Sequence, residues 1–218
     1  NVIGSYTVTY NVSDAATNAA VQVTRTVNVT DQTAPVITLV GATPITIPFG
    51  VAYVDAGATA LDNVDGNITA NIVTVNPVNV NVIGSYTVTY NVSDAATNAA
   101  TQVTRTVNVT DQTAPVISLV GATPITVAFG SVYNDAGATA ADNVDGNITA
   151  SIVTTNLVNT SAVGTYTVTY NVSDAATNVA TPVIRTVNVT DQTIPVITLL
   201  GATPITIAHG SVYVDAGA

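Results

Sequence analysis

Along SYTVTYNVSD (85–94) apolar and polar side chains alternate. Tyr86, Val88, Tyr90 and Val92 fall on one side; Thr87, Thr89, Asn91 and Ser93 fall on the other. A period of two marks a half-buried β-strand, because successive side chains of an extended chain point to opposite faces. The alternation returns in TQVTRTVNVTD (101–111), with Val103, Val107 and Val109 on one face. Arg25, Arg105 and Arg185 share that parity with the inward Val residues, which predicts a structural ion pair or stacking on Tyr rather than a substrate contact. Earlier, PVITLVG (35–41) reads as a first strand entered through a proline, and PITIPFG (44–50) as a piece of edge strand broken by Pro48. VAYVDAGATALD (51–62) reads as a weaker strand bent at Gly57, and NITANIVTVNPVNVN (67–81) supplies one or two more. Short strands with turns about every 8–12 residues predict an all-β sandwich.

The pattern is duplicated. NVIGSYTVTYNVSDAATNAA occupies 1–20 and recurs unchanged at 81–100, while DQTAPVI begins at 31 and 111 and DQTIPVI at 191. Laid over one another, 31–110 and 111–190 agree at 62 of 80 positions, so the unit is about 80 residues long. The expected organisation is the C-terminal part of a unit (1–30), two complete units (31–110 and 111–190) and the N-terminal part of a further unit (191–218). The chain reads as a window on a longer array. The alternative is that end pieces are exchanged between chains by strand addition to an open sheet edge, although together they lack a counterpart of 59–80.

Composition sharpens the β reading. Val and Thr supply 29 of the residues between 31 and 110, and β-branched side chains suit pleated strands. A net charge of −10 excludes phosphate neutralisation, hence nucleic acid as a partner. No apolar run approaches the roughly 18 residues of a membrane helix. The opening residues lack the basic and apolar regions of a signal peptide, so any such signal is expected outside this window. Zero Cys removes disulfides and thiol chemistry, and the absence of Lys removes a Lys–Asn isopeptide staple. A small domain with neither staple often needs another source of stability.

Taken in order, DQTAPVITLVGATPIT, DNVDGNIT, GTYTVTYNVSDAATN and RTVNV resemble the bacterial immunoglobulin-like surface repeat related to hyalin repeats and to the Ig-like module of some pesticidal crystal proteins. The resemblance covers the whole unit. It implies tandem Ig-like Greek-key sandwiches on large secreted or surface proteins. Family members commonly read SDAAGN where this chain has SDAATN. Tyr86 and Tyr166 stand where a tyrosine corner would.

In such a sandwich the DNVDGN and SDAATN loops share the pole at which the chain enters. That brings Asp111, Asp142, Asp145 and Asp174 toward one another, with Asn143, Asn147 and Asn178, between two units. The equivalents in the first full unit are Asp31, Asp62, Asp65, Asp94 and Asn98; Asp191 opens the next linker, and Asp135 is a weaker candidate. Two carboxylates about 5 Å apart repel by roughly 3 kcal/mol at an effective dielectric of 20. No basic residue lies in these loops. Hard oxygen ligands on flexible loops suit Ca2+ better than Mg2+. The linker is also similar to cadherin-type linkers, where an Asp-rich segment before Ala-Pro binds calcium. The plain alternative is that Asp and Asn cap their own turns.

The remaining candidates are bland. His209 replaces Phe49 and Phe129 of the other copies and reads as a packing or edge residue. The identical carboxylate pairs come without an aromatic platform for a sugar, and neither complete unit holds a Ser–His–Asp set, a phosphate loop or a metal–His site. The expectation is therefore a non-enzymatic array forming an extracellular stalk or filament, stiffened by Ca2+ at its junctions. Its partners would be neighbouring repeats and identical chains packed in a fibre. Alternatives are an adhesin module recognising a glycan or surface protein, or accessory Ig-like domains of a larger secreted protein.

Overall fold

The computed structural model describes residues 2–218. Contacts divide the chain into two compact units, Asn1–Thr113, which holds the repeat 31–110, and Ala114–Ala218, which holds all strands of the next repeat.

The first unit opens with a hairpin of β1 (Gly4–Tyr10) and β2 (Val23–Val29). Seven strands follow: β3 (Val36–Leu39), β4 (Ile45–Pro48), β5 (Ala58–Asp62), β6 (Gly66–Asn67), β7 (Val73–Val75), β8 (Gly84–Asn91) and β9 (Val103–Thr110). One sheet has the order β3-β5-β6 and the other β4-β9-β8-β7. Among the described residues of this unit only the β4–β9 pair is parallel, because the chain changes sheets between β3 and β4 and meets β9 running the same way. In the second unit β10 (Val116–Leu119), β11 (Ile125–Ala128), β12 (Ala138–Asp142), β13 (Gly146–Asn147), β14 (Val153–Asn156), β15 (Gly164–Asn171) and β16 (Val183–Thr190) repeat both sheets.

The alternation seen in the sequence becomes the core. Val88, Tyr90 and Val107 of the four-stranded sheet are fully buried and pack with Ile37 and Ala60 of the other. The corner tyrosines close the entry to the long hairpin: Tyr86 Oη donates to Val82 O at 2.8 Å and Tyr166 Oη to Ala162 O at 3.0 Å.

Two stretches differ from the expectation. Within 51–62 only Ala58–Asp62 is strand, since Gly57 adopts φ +76° and the preceding residues turn inward to bring Tyr53 and Asp55 to the core. Within 67–81 the chain makes a short 3-10 turn at Thr69–Asn71 and the brief β7. Asn76 and Asn79 then cap turns by accepting from the Val78 and Asn81 amides, which competes with further ladder. Residues 191–218 keep local bonds of the complete repeats, such as Leu200 N to Gly217 O at 2.9 Å, but form no strand.

Arg105 is 1% exposed, as the parity of its strand predicts. Its Nη1 donates to Asp55 Oδ1 at 3.0 Å, and its Nη2 donates to the carbonyls of Val40 and Gly57. The guanidinium carbon lies 6.0 Å from the Tyr90 ring centroid. Tyr53 and Tyr90 hydroxyls donate to the same Asp55 carboxylate at 2.8 and 2.7 Å. Arg185, Asp135, Tyr133 and Tyr170 repeat this set. Asp135 is therefore the counter-ion of a buried arginine, which corrects its candidacy as a metal ligand. Burial pushes the Asp55 carboxyl up, but hydrogen bonds from Tyr90 and Tyr53 and the charge of Arg105 outweigh it and hold it below its ordinary range. Asp135 is lowered in the same way by Tyr170, Tyr133 and Arg185.

Removing one partner of a buried pair strands the other, so Arg105→Ala should cost about 3–5 kcal/mol in urea denaturation. A carboxyl lowered by folding contributes stability above its unfolded value of about 3.9, and that stability is lost as pH falls through the folded value. The melting temperature should drop on acidification through this range, and Asp55→Asn with Asp135→Asn should flatten that acid limb in melts followed by circular dichroism.

Candidate metal centre

Three segments meet at the far end of β5 from the Arg105 cluster. Asp62 is the last residue of β5 and begins the DNVDGN loop; Asp94 begins the turn after β8; Asp31 lies shortly beyond Val29, where β2 ends. One carboxylate oxygen of each falls within 4.8 Å of the others. The first complete repeat and its leading linker thus assemble the cluster by themselves, where the sequence reading looked between two repeats.

Local backbone bonds aim each carboxylate. Asp62 Oδ1 accepts from the Val64 and Asp65 amides at 2.7 and 2.9 Å, and Asp31 Oδ1 from Thr33 N at 3.0 Å. That leaves Asp31 Oδ2 and Asp62 Oδ2, both buried and without a partner. Asp94, 7% exposed, accepts the Asn98 amide on Oδ1 and Asn98 Nδ2 on Oδ2, both at 2.7 Å. Asn98 Nδ2 also reaches Asp31 O at 3.4 Å, joining linker to turn. Asp65 ties the two loops together, its Oδ2 accepting from Ala95 N at 2.7 Å. Gly66 makes the hairpin possible with φ +71°, a backbone that side-chain-bearing residues avoid. Hydrogen bonds from the Asp65 and Val64 amides hold the Asp62 carboxyl below its usual range.

The second repeat has the same parts. Asp142 Oδ1 accepts from the Val144 and Asp145 amides at 2.7 and 3.0 Å, its Oδ2 is buried without a partner, and an oxygen of Asp145 lies within 4.8 Å of one of Asp142. Burial pushes the Asp142 carboxyl up, and the Asp145 and Val144 amides more than reverse it. Asp145 Oδ2 accepts from Ala175 N, and Asn178 donates twice to Asp174. Asp111 is 9% exposed, with Oδ1 capping Thr113 N and Oδ2 buried and unpaired. Asn143 is exposed, and Asn147 Oδ1 is engaged by Thr149 N at 3.0 Å. Asp191 caps Thr193 N and is exposed.

A feature hidden in the sequence is the backbone of SDAATN. Thr97 and Thr177 adopt φ +70° and +71°, the left-handed region that is a true outlier for a β-branched residue. The Thr97 amide donates to Asp94 O at 3.2 Å, so this strained turn is what returns Asn98 to the Asp94 carboxylate. The glycine of the SDAAGN pattern at this position was the available clue.

The profile of the family described as bacterial surface protein, Ig-like domain, matches residues 37–109 and again 117–189. The chain belongs to this family. Its surface Ig-like repeats carry a surface-associated role and are typically non-catalytic. No curated protein matches the chain. Among solved structures it is similar to a Clostridium perfringens ZmpB structure, a carbohydrate-binding module in complex with GlcNAc together with INT domains. That match has 27% identity over 44% of this chain and 21% of the other, with a TM-score of 0.30. It is also similar to the lipoprotein BT2262 from Bacteroides thetaiotaomicron, at 17% identity over 70% of this chain and 98% of the other, TM-score 0.33. The surface Ig-like repeats here thus span about a fifth of the Clostridium chain.

A left-handed non-glycine residue stores about 1–3 kcal/mol, and glycine returns part of that gain through its unfolded-state entropy. Thr97→Gly should therefore raise stability by about 1 kcal/mol, read as a higher urea midpoint at unchanged slope. A lower midpoint would mean that Thr97 side-chain contacts outweigh the strain.

Proposed function

We propose that these repeats are the load-bearing modules of an extended surface stalk, and that each binds Ca2+ at its N-terminal pole. The observation that carries this is the pair of buried, unpartnered carboxylate oxygens of Asp31 and Asp62 beside Asp94. Buried polar atoms of native proteins are nearly always satisfied, and buried charges are paired or bound to metal. Both arginines of the complete repeats are engaged elsewhere, by Asp55 and Asp135. Oxygens bound about 2.3–2.6 Å from one ion can stand as far apart as these do, and Asp-rich irregular loops suit the variable coordination of Ca2+. The Oδ1 atoms are occupied by amides, so each free oxygen is already aimed.

The mechanical consequence follows from where Asp31 sits. The preceding repeat's strand β2 ends at Val29, so an ion shared by Asp31, Asp62 and Asp94 fastens the linker to the sandwich that follows it. A swivel becomes a fixed joint. Extracellular modules bind Ca2+ with dissociation constants of about 10⁻⁴–10⁻³ M, so millimolar calcium outside a cell fills them.

At about tenfold excess over the dissociation constant, ligand binding adds about 1.4 kcal/mol, worth roughly 5–10 °C in a domain this small. Calorimetric melts in millimolar Ca2+ against chelator should show that shift. Asp62→Asn with Asp142→Asn keeps a capping oxygen at each loop while removing the charge, and should abolish the response. A melting temperature indifferent to calcium in the unaltered chain overturns the proposal.

A further inference from the structure

We propose that the edge strand β14 is a self-pairing surface, through which two copies of this chain join antiparallel into one continuous sheet. β14 (Val153–Asn156) ends the sheet β11-β16-β15-β14, and its outer side is unpaired among the described residues. A sheet edge offers a row of free N–H and C=O groups, and charge or proline is the usual guard against a second strand. This edge has neither. No charged residue stands between Asp145 and Asp174, and no proline between Pro124 and Pro182.

The first repeat shows the guard in place. Pro77 stands where the second repeat has Leu157, and both are flanked by Asn and Val. Leu157 N donates to Thr167 O at 3.1 Å, which extends the pairing with β15. Proline has no amide to give, and β7 stops at Val75. The second repeat therefore presents a longer edge, with Leu157 64% and Val153 65% exposed.

Register decides what such an edge can hold. Along an antiparallel pair, residues that exchange bonds with the neighbour alternate with residues whose amides and carbonyls point away. The Leu157 bond to Thr167 sets the phase. Val153 and Thr155, opposite Asn171 and Thr169, bond toward β15, so the main-chain groups of Thr154 and Asn156 face outward. Side chains alternate as well: Val153, Thr155 and Leu157 share the outer face with Thr169, while Thr154 stands opposite the buried Tyr170.

With Thr155 opposite the partner's Thr155, Thr154 exchanges bonds with the partner's Asn156, and Val153 meets the partner's Leu157. The exposed apolar side chains then cover one another, and such cross-strand pairs are what stabilises a sheet. With Thr154 opposite the partner's Thr154 instead, Val153 meets the partner's Thr155 and Leu157 the partner's Ser151. VTTNL (153–157) is thus self-complementary in the first of these registers, which selects a second copy of this chain as the occupant. The same patch serves both chains, so the contact is isologous and closes at a dimer. Affinity comes from main-chain bonds and register from alternate side chains.

The test uses the 218-residue chain, which has no cysteine of its own. Sedimentation velocity should show a monomer–dimer equilibrium that moves with concentration. Leu157→Pro writes the first repeat's own residue into the same Asn and Val surroundings, and should weaken the dimer at least tenfold. Thr155→Lys leaves every main-chain bond to β15 in place, places a charge at the edge and should do the same. Oxidised Thr155→Cys should cross-link to its own copy at least several-fold faster than Ser118→Cys, which is exposed on β10 away from this edge. A monomer at every concentration overturns the proposal. So does a dimer indifferent to both edge variants, or cross-linking at Thr155→Cys no faster than at Ser118→Cys.

Discussion

The buried guanidinium of Arg105 holds its sandwich to one arrangement, as Arg185 holds the other. It projects from β9 in the four-stranded sheet and is satisfied by groups flanking the three-stranded sheet, the Val40 and Gly57 carbonyls and the Asp55 carboxylate. A sliding of the sheets would leave a charge in a core of Val, Ile and Tyr, which is costly. Small domains without disulfides bury little apolar surface per residue, so a directional tie of this kind supplies uniqueness that non-directional packing lacks.

Fixing that end of β5 fixes the other. The strand begins beside Gly57 and ends at Asp62, and its register against β3 sets where Asp62 stands relative to the entering linker. The long β8–β9 hairpin, closed by the corner tyrosine, delivers Asp94 to the same place. Two kinds of charge are thus segregated along one strand. At its start a carboxylate is neutralised by arginine and two hydroxyls; at its end carboxylates gather with only amides for company. The strained Thr97 belongs to the second end, where backbone energy is spent on bringing Asn98 back to Asp94.

Near-identity of the repeats makes each of these devices a copy. Arg185, Asp135, Tyr133 and Tyr170 rebuild the tie, and Asp142 and Asp174 rebuild the capped loops. Residues 1–30 and 191–218 repeat the local geometry of the complete repeats. Tyr213 bonds Asp215 as Tyr53 bonds Asp55.

The sequence alone determined what depends on neighbours along the chain. Alternation placed Tyr86, Val88, Tyr90 and Val92 on one face and put Arg105 among the inward Val residues; duplication set the unit length; and Asp, Asn and Gly marked the loops. It misread 51–57 as strand, because the pull of Asp55 toward Arg105, fifty positions away, leaves no local trace. It also treated every oxygen of the loops alike. Only the tertiary structure separated Asp62, with a free buried oxygen, from Asp65, whose carboxylate is engaged by the Ala95 amide, and placed Asp135, ahead of β12, against Arg185. The reason is the range of the forces involved: periodicity and turn chemistry act over a few residues. Which carboxylates meet is decided by sheet register, which couples residues 31, 62 and 94 only after the core has formed.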